Sequence, residues 1–282
     1  MRFTKMQGLG NDFVVIDATL SRISLDAETV RVLCDRHYGV GADQVLVVAP
    51  AQDASHDFVY RIYNADGSEA EQCGNGARCL ALFLRGKGLS DKRRVRLKTV
   101  ARVIEVEALD DVTASVDMGR ADFGAQAAGL DERSDALAGR DAATGLFAAA
   151  LSCGGVRFCP VSMGNPCAVV PVKDLEALDV EGLGSELSAR LFEKGANVVF
   201  ARKVSEGALE VRVFERGAGE TLACGTGSTA AAAFAFEHLG MQGEIEVATR
   251  GGTLRVRRRA DGHLFLTGPA AFVFEGQIGE GH

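Results

Sequence analysis

The segment Cys73-Gly74-Asn75-Gly76 recurs 151 positions later as Cys224-Gly225-Thr226-Gly227, and it does not recur alone. Gly10-Asn11 with Val14-Val15-Ile16 returns as Gly164-Asn165 with Ala168-Val169-Val170, at an offset of 154. Gly41-Ala42-Asp43 returns as Gly195-Ala196-Asn197 at that same offset. Arg61-Ile62-Tyr63 returns as Arg212-Val213-Phe214 and Glu69 as Glu220, both at 151. Thr99 with Ile104-x-Val106 returns as Thr249 with Leu254-x-Val256, at 150. Matches in this order, with so small a drift in offset, mark an internal duplication. A chain of 282 residues then has room for two domains of about 140 residues, each able to bury a core of its own.

The two halves carry the same pattern of elements. Apolar runs such as Phe13 to Asp17 and Val45 to Ala49 read as strands, followed by alternating strands at Phe58 to Tyr63 and Leu209 to Phe214. A polar loop then leads into the Cys-Gly-x-Gly turn. Helices are expected over Ala77 to Arg85, stopped by Gly86 and Gly88, and over Ser228 to Leu239, stopped by Gly240. The second is apolar on nearly every side, which requires burial all round. The expected fold is therefore α+β: two similar domains, each a curved, mostly antiparallel, barrel-like sheet around one central helix, with the active site in the cleft between them. The first domain is expected to span 1–120 and to recover a C-terminal strand at about 271–282, and the second to span 121–270.

Composition narrows the class. With 47% hydrophobic and 24% charged residues and a net charge of -7, the chain is an ordinary globular sequence that disfavours nucleic acid as a partner. The basic runs Lys92-Arg93-Arg94 and Arg255 to Arg259 read as solvated strand faces. No apolar stretch approaches a membrane span or a signal peptide, so a cytoplasmic protein is expected. The seven cysteines are odd in number and contain no Cys-x-x-Cys, which reads neither as a disulfide framework nor as a zinc site. No cofactor is expected. Cys34, Cys79, Cys153 and Cys159 read as core residues.

Cys73 and Cys224 are different, because each opens a helix behind a glycine-rich turn. A helix N-terminus offers unpaired N–H groups and a partial positive charge. Such a place is expected to draw a thiol pKa down towards neutrality, and its glycines let an anion such as a carboxylate approach the backbone. Two equivalent thiols serving opposite faces of one carbon can invert it. One removes a proton, the other delivers one, and the N–H groups stabilise the charge that develops on the carboxylate. Neither turn carries the Gly-Lys-Ser/Thr of a P-loop, and Gly8-x-Gly10 lacks the third glycine of a dinucleotide fingerprint.

The chain closely resembles the diaminopimelate epimerase family, cofactor-independent two-cysteine epimerases of lysine and peptidoglycan-precursor biosynthesis. The resemblance runs through Met6-Gln7-Gly8-Leu9-Gly10-Asn11-Asp12-Phe13, Gly41-Ala42-Asp43-Gln44, Asn64-Ala65-Asp66-Gly67-Ser68, Cys73-Gly74-Asn75-Gly76, Gly164-Asn165-Pro166, Lys194-Gly195-Ala196-Asn197, and Glu215 to Gly227. It implies that Cys73 and Cys224 are the acid–base pair and that Gly74, Asn75, Gly225 and Thr226 hold the reacting carboxylate through backbone N–H groups. It further implies that Asn11, Gln44, Asn64, Asn165, Asn197, Glu215 and Arg216 bind the remaining amine and carboxylate groups. The implied reaction converts LL-2,6-diaminopimelate to the meso form, and the implied assembly is a homodimer. A racemase of another amino acid, such as histidine, is the alternative; Asn64, Asn197 and Arg216, which suit a second amino-acid head group, disfavour it. One position departs from the pattern. The family carries histidine where this chain has Cys167, beside the first cysteine and tuning its ionisation. Cys167 and Glu215 are thus expected to modulate activity.

Overall fold

A computed structural model describes residues 1–21, 23–71, 73–152 and 154–279. The chain divides into two compact units, Met1–Asp117 with the chain from Thr267 onward, and Met118–Leu266. These changeovers fall a few residues before positions 120 and 270. No helix among the described residues is long and apolar enough to cross a membrane.

In the first unit the elements are β1 (Arg2–Gly8), β2 (Asn11–Asp17), α1 (Ala27–Cys34), β3 (Gln44–Pro50), β4 (Phe58–Asn64), β5 (Glu69–Ala70), α2 (Gly74–Gly86), β6 (Arg94–Lys98), β7 (Val103–Ala108) and β8 (Thr113–Gly119). In the second they are β9 (Leu137–Arg140), β10 (Phe147–Leu151), β11 (Gly154–Ser162), β12 (Pro166–Pro171), α3 (Val180–Leu191), β13 (Asn197–Ser205), β14 (Ala208–Glu215), β15 (Gly219–Thr221), α4 (Gly225–His238), β16 (Glu244–Thr249) and β17 (Gly252–Arg258). β18 (Leu264–Pro269) carries the chain back, and β19 (Ala271–Gln277) pairs antiparallel with β1. The last three residues lie outside the described residues, as does Cys153.

The duplication holds down to hydrogen-bond register. β2 pairs parallel with β3 as β12 does with β13. β3 pairs antiparallel with β4 as β13 does with β14. Tyr63 opposes Glu69 as Phe214 opposes Glu220, and Phe58 opposes Leu97 as Leu209 opposes Val247. The Arg61–Glu69 ion pair, at 2.8 Å, recurs as Arg212–Glu220 at 2.7 Å. Most ladders are antiparallel; β2/β3, β4/β6, β12/β13 and β14/β16 are parallel.

Each sheet is covered on both faces. Leu46 of β3 lies under the start of α2, whereas Val45 and Val47 pack with Val14, Ile16 and the α1 residues Val30 and Leu33. That is why β2 and β3 read as unbroken apolar runs rather than alternating ones. In the second unit α3 packs Leu183, Leu187 and Leu191 onto Phe158, Val198 and Phe200. The central helices α2 and α4 begin three residues earlier than expected, at Gly74 and Gly225. The Cys-Gly-x-Gly turn is therefore the first turn of the helix, with the cysteine as N-cap, because its sulfur supplies an acceptor that a loop would lack. Cys34, Cys79 and Cys159 are buried.

Gly184 within α3 provides a test with an informative sign. Alanine normally improves a helix interior by about 1 kcal/mol over glycine. Here an added Cβ would stand 2.5 Å from Cβ of Phe214, and such overpacking costs about 1–3 kcal/mol. Gly184→Ala is expected to lower the urea midpoint; a raised midpoint would contradict this packing.

Candidate active site

The residues singled out in the sequence collect at one end of three neighbouring strands in each unit. In the first unit Asn11 begins β2, Gln44 begins β3, and Asn64 ends β4. Asn165 stands just before β12, Asn197 begins β13, and Glu215 ends β14 in the second.

Cys73 caps α2. Its sulfur accepts the Gly76 N–H at 3.3 Å, and its thiol donates to Oδ1 of Asn11 at 3.8 Å. That Asn11 oxygen also accepts from Nδ2 of Asn75 at 3.2 Å, and Asn11 Nδ2 donates to Asp43 at 2.8 Å. Asp43 belongs to a network that sequence reasoning did not single out. Arg36 donates to both Asp12 and Asp43, and Lys5 pairs with Asp12 at 2.7 Å. Burial would raise the Asp12 carboxyl, but the hydrogen bonds from Arg36 and Lys5 hold it well below the usual carboxylate range. A carboxylate on its amide nitrogen fixes which way Asn11 points, so its oxygen faces Cys73. The signal was present in the repeat of Gly41-Ala42-Asp43, where the second unit has Asn197 at the equivalent place.

Gln44 donates through Nε2 to Oδ1 of Asn64 at 2.8 Å, and Asn64 Nδ2 donates to Ser68 at 3.0 Å. Oε1 of Gln44 is buried without a donor among the described residues. Gly76 has no room for a side chain: a Cβ would lie 2.5 Å from Oη of Tyr60.

Cys224 caps α4 in the same way, accepting the Gly227 N–H at 3.4 Å. Its surroundings differ from those of Cys73. Cys224 is buried, whereas Cys73 is partly exposed. Burial first, and then the charge and hydrogen bond of Glu215, push the Cys224 thiol well above its ordinary value. This corrects the expectation that the helix end draws the thiol towards neutrality. A helix terminus contributes about 0.3–1 kcal/mol, while burying an unpaired charge costs several, so desolvation wins and the proton stays on sulfur. Glu215 also accepts from the Thr221 hydroxyl at 2.5 Å.

Cys167 is fully buried and opposes Asn197 in the β12/β13 ladder. Burial, followed by the Glu215 charge, pushes its thiol up to about 12. Within its own unit it belongs to the group around Cys224 and Glu215, and it remains a neutral thiol there. Asn197 Oδ1 accepts the Arg216 N–H at 2.9 Å, and the Arg216 guanidinium reaches the Lys194 carbonyl at 3.1 Å. Oδ1 of Asn165 is buried and, like that of Gln44, meets no donor among the described residues. Gly74 with Asn75, and Gly225 with Thr226, occupy the first helical positions, where N–H groups have no carbonyl one turn back.

The sequence pattern described as diaminopimelate epimerase matches residues 3–124 and 159–273. The chain is 45% identical over 282 residues to a diaminopimelate epimerase of Laribacter hongkongensis, covering 99% of each. Among solved structures it is similar to a PhzF-family phenazine biosynthesis protein from Bacillus anthracis, with a TM-score of 0.69 and 17% identity over 99% of this chain and 98% of that one. It is also similar to a probable proline racemase from Agrobacterium radiobacter, with a TM-score of 0.72 and 14% identity over 99% of this chain and 93% of that one. At such identities the two structures share the fold.

The environment of Cys224 makes a direct prediction. Removing the neighbouring charge in Glu215→Gln lowers the thiol pKa, so alkylation of Cys224 by iodoacetamide at mildly alkaline pH should accelerate. An unchanged pH profile would show that Glu215 does not act on this sulfur.

Proposed function

The chain belongs to the diaminopimelate epimerase family, and on that premise we propose that it interconverts LL- and meso-diaminopimelate with Cys73 and Cys224 as its acid–base pair. The observation that carries this reading is the recurrence of one device, a sulfur capping a buried glycine-led helix, at equivalent positions of both units. Burial and Glu215 keep Cys224 protonated, which makes it the acid in the resting enzyme. Cys73, more exposed and accepting the Gly76 N–H, is then the base. The α-hydrogen leaves as a proton to the Cys73 sulfur, and the electron pair spreads onto the carboxylate. The Cys224 thiol gives its proton to the opposite face. After the step Cys73 is a thiol and Cys224 a thiolate beside Glu215, an unfavourable pair that drives return of the proton.

Gly74, Asn75, Gly225 and Thr226 stabilise the carboxylate through first-turn N–H groups, whose preorganisation is the main electrostatic aid to such a step. Gln44 and Asn165, with their buried amide oxygens lacking donors, suit substrate ammonium groups. Asn11, Asn64 and Asn197 orient the same ligand, and Arg216 suits its distal carboxylate through a bidentate contact. Cys167 replaces an imidazole by a thiol that stays protonated, and this slows turnover. Phe272, Val273 and Phe274 on β19 are 42%, 55% and 48% exposed. So apolar a strand fits burial against a second copy of the chain, as in a homodimer.

Cys73→Ala and Cys224→Ala should each cut turnover of LL-diaminopimelate by at least about a hundredfold. Activity near that of the unmodified protein in either variant would sink the two-cysteine mechanism. Cys167→His should raise turnover, and no gain would remove Cys167 from the account.

A further inference from the structure

α2 carries a charge for which the activity described so far has no use. Arg78 is 0% exposed. Its Nη1 donates to Oδ1 of Asn75 at 3.0 Å, and its Nε donates to the carbonyl of Pro269 at 3.2 Å. Nη2 is buried without an acceptor among the described residues. A side chain on Gly8 would press on this group, since a Cβ there would stand 3.2 Å from Nη2. Gly8 therefore lies close against the guanidinium. The equivalent position in α4 is Thr229, a neutral residue that donates to the Gly225 carbonyl at 2.7 Å. The buried cation is thus a property of one unit only.

An unpaired buried charge is strongly unfavourable, so the fold is expected to supply an anion. Asn75, held by Arg78, donates to the same Asn11 oxygen that faces the Cys73 thiol, and Cys79 follows Arg78 in α2, so the charges that can act on Arg78 are those of Cys79 and Cys73. Burial pushes Cys79 up to about 12, so it remains a thiol. Burial also draws Arg78 down to about 10, which leaves it charged at neutral pH. Cys73 is the remaining partner. We infer that Arg78 is a positioning residue, holding the Asn75 side chain in place and serving as the buried counter-charge of a Cys73 thiolate.

The titratable groups on the elements packed against α2 do not replace it. Tyr60 of β4 is held neutral by burial. Lys5 of β1 and Asp12 of β2 neutralise each other. Glu105 and Glu107 of β7 pair with Arg93 and Arg94, and Glu275 of β19 pairs with Lys87. The Gly76 N–H favours the thiolate, while Oδ1 of Asn11 favours the thiol from a longer distance. The second unit has the opposite arrangement, with a carboxylate beside its sulfur. Together with the burial of Cys224, the two charges set one cysteine as base and the other as acid.

This inference deepens the proposed two-cysteine mechanism and rests on it for its purpose, but its test needs no turnover. Reduced full-length protein is pulsed with iodoacetamide across a pH series, and alkylation of Cys73 is quantified by peptide mass spectrometry. In the unmodified protein the midpoint should fall below the ~8.5 of an ordinary thiol. Arg78→Met should raise it by about one unit, so that alkylation at neutral pH slows roughly tenfold. Arg78→Lys, which keeps the charge, should stay near the unmodified protein. A midpoint at or above 8.5 in the unmodified protein overturns the inference even if Arg78→Met does not fold. A folded Arg78→Met with an unmoved midpoint overturns it too, as does an Arg78→Lys that shifts as far as the methionine variant. Should diaminopimelate fail as a substrate, these alkylation results would still decide the role of Arg78.

Discussion

The N–H of the third residue in each central helix points at a cysteine sulfur, from Gly76 to Cys73 and from Gly227 to Cys224. For that bond to form, the sulfur must sit at the N-cap and the helix must begin immediately after it. The two preceding residues then occupy the first helical positions, where no carbonyl lies one turn back. Glycine at the third position lets other groups close in beneath the turn: Tyr60 and Leu46 in one unit, Val199 and Val213 in the other. The cap thus ties the core beneath the helix to the sulfur and to the carboxylate-binding role proposed for the first turn.

Duplication supplies two such sulfurs but would make them alike, and an epimerase at rest needs one proton between them. The difference comes from single residues laid onto the shared scaffold. Glu215 stands beside Cys224, while Arg78 lies buried one turn along from Cys73. At Cys224 desolvation is the larger effect and Glu215 adds to it, because Cys224 is buried and Cys73 is partly exposed. A helix dipole worth about 0.3–1 kcal/mol is common to both and cannot distinguish them.

Much of this was legible in the sequence, because a repeat conserves both pattern and register. The central strands and the two central helices followed from matched segments, whereas the recurring Arg61 and Glu69 showed their ion pair only in the fold. The outer helices did not. α1 has only eight residues, with Thr29, Val30 and Val32 favouring a strand, and its capping by Asp26 is visible only once Thr29 is seen to donate to it. α3 contains Gly182 and Gly184, which weaken a helical reading; the second is needed because Phe214 fills the space. The expected lowering of both thiol values failed for Cys224, because burial depends on tertiary packing that spacing does not encode. Arg78 went unnoticed for the same reason, since an arginine in a helix ordinarily reaches solvent.

The central claim is that two different sulfurs handle the two faces of one carbon. It is tested most directly by turnover of LL-diaminopimelate in D₂O, with the isotopic content of both isomers read early in the reaction. One deuterium is expected at the inverted α-carbon of the product, while recovered substrate remains undeuterated. Deuterium appearing equally in recovered substrate and product would mean that one group serves both faces, and would contradict it.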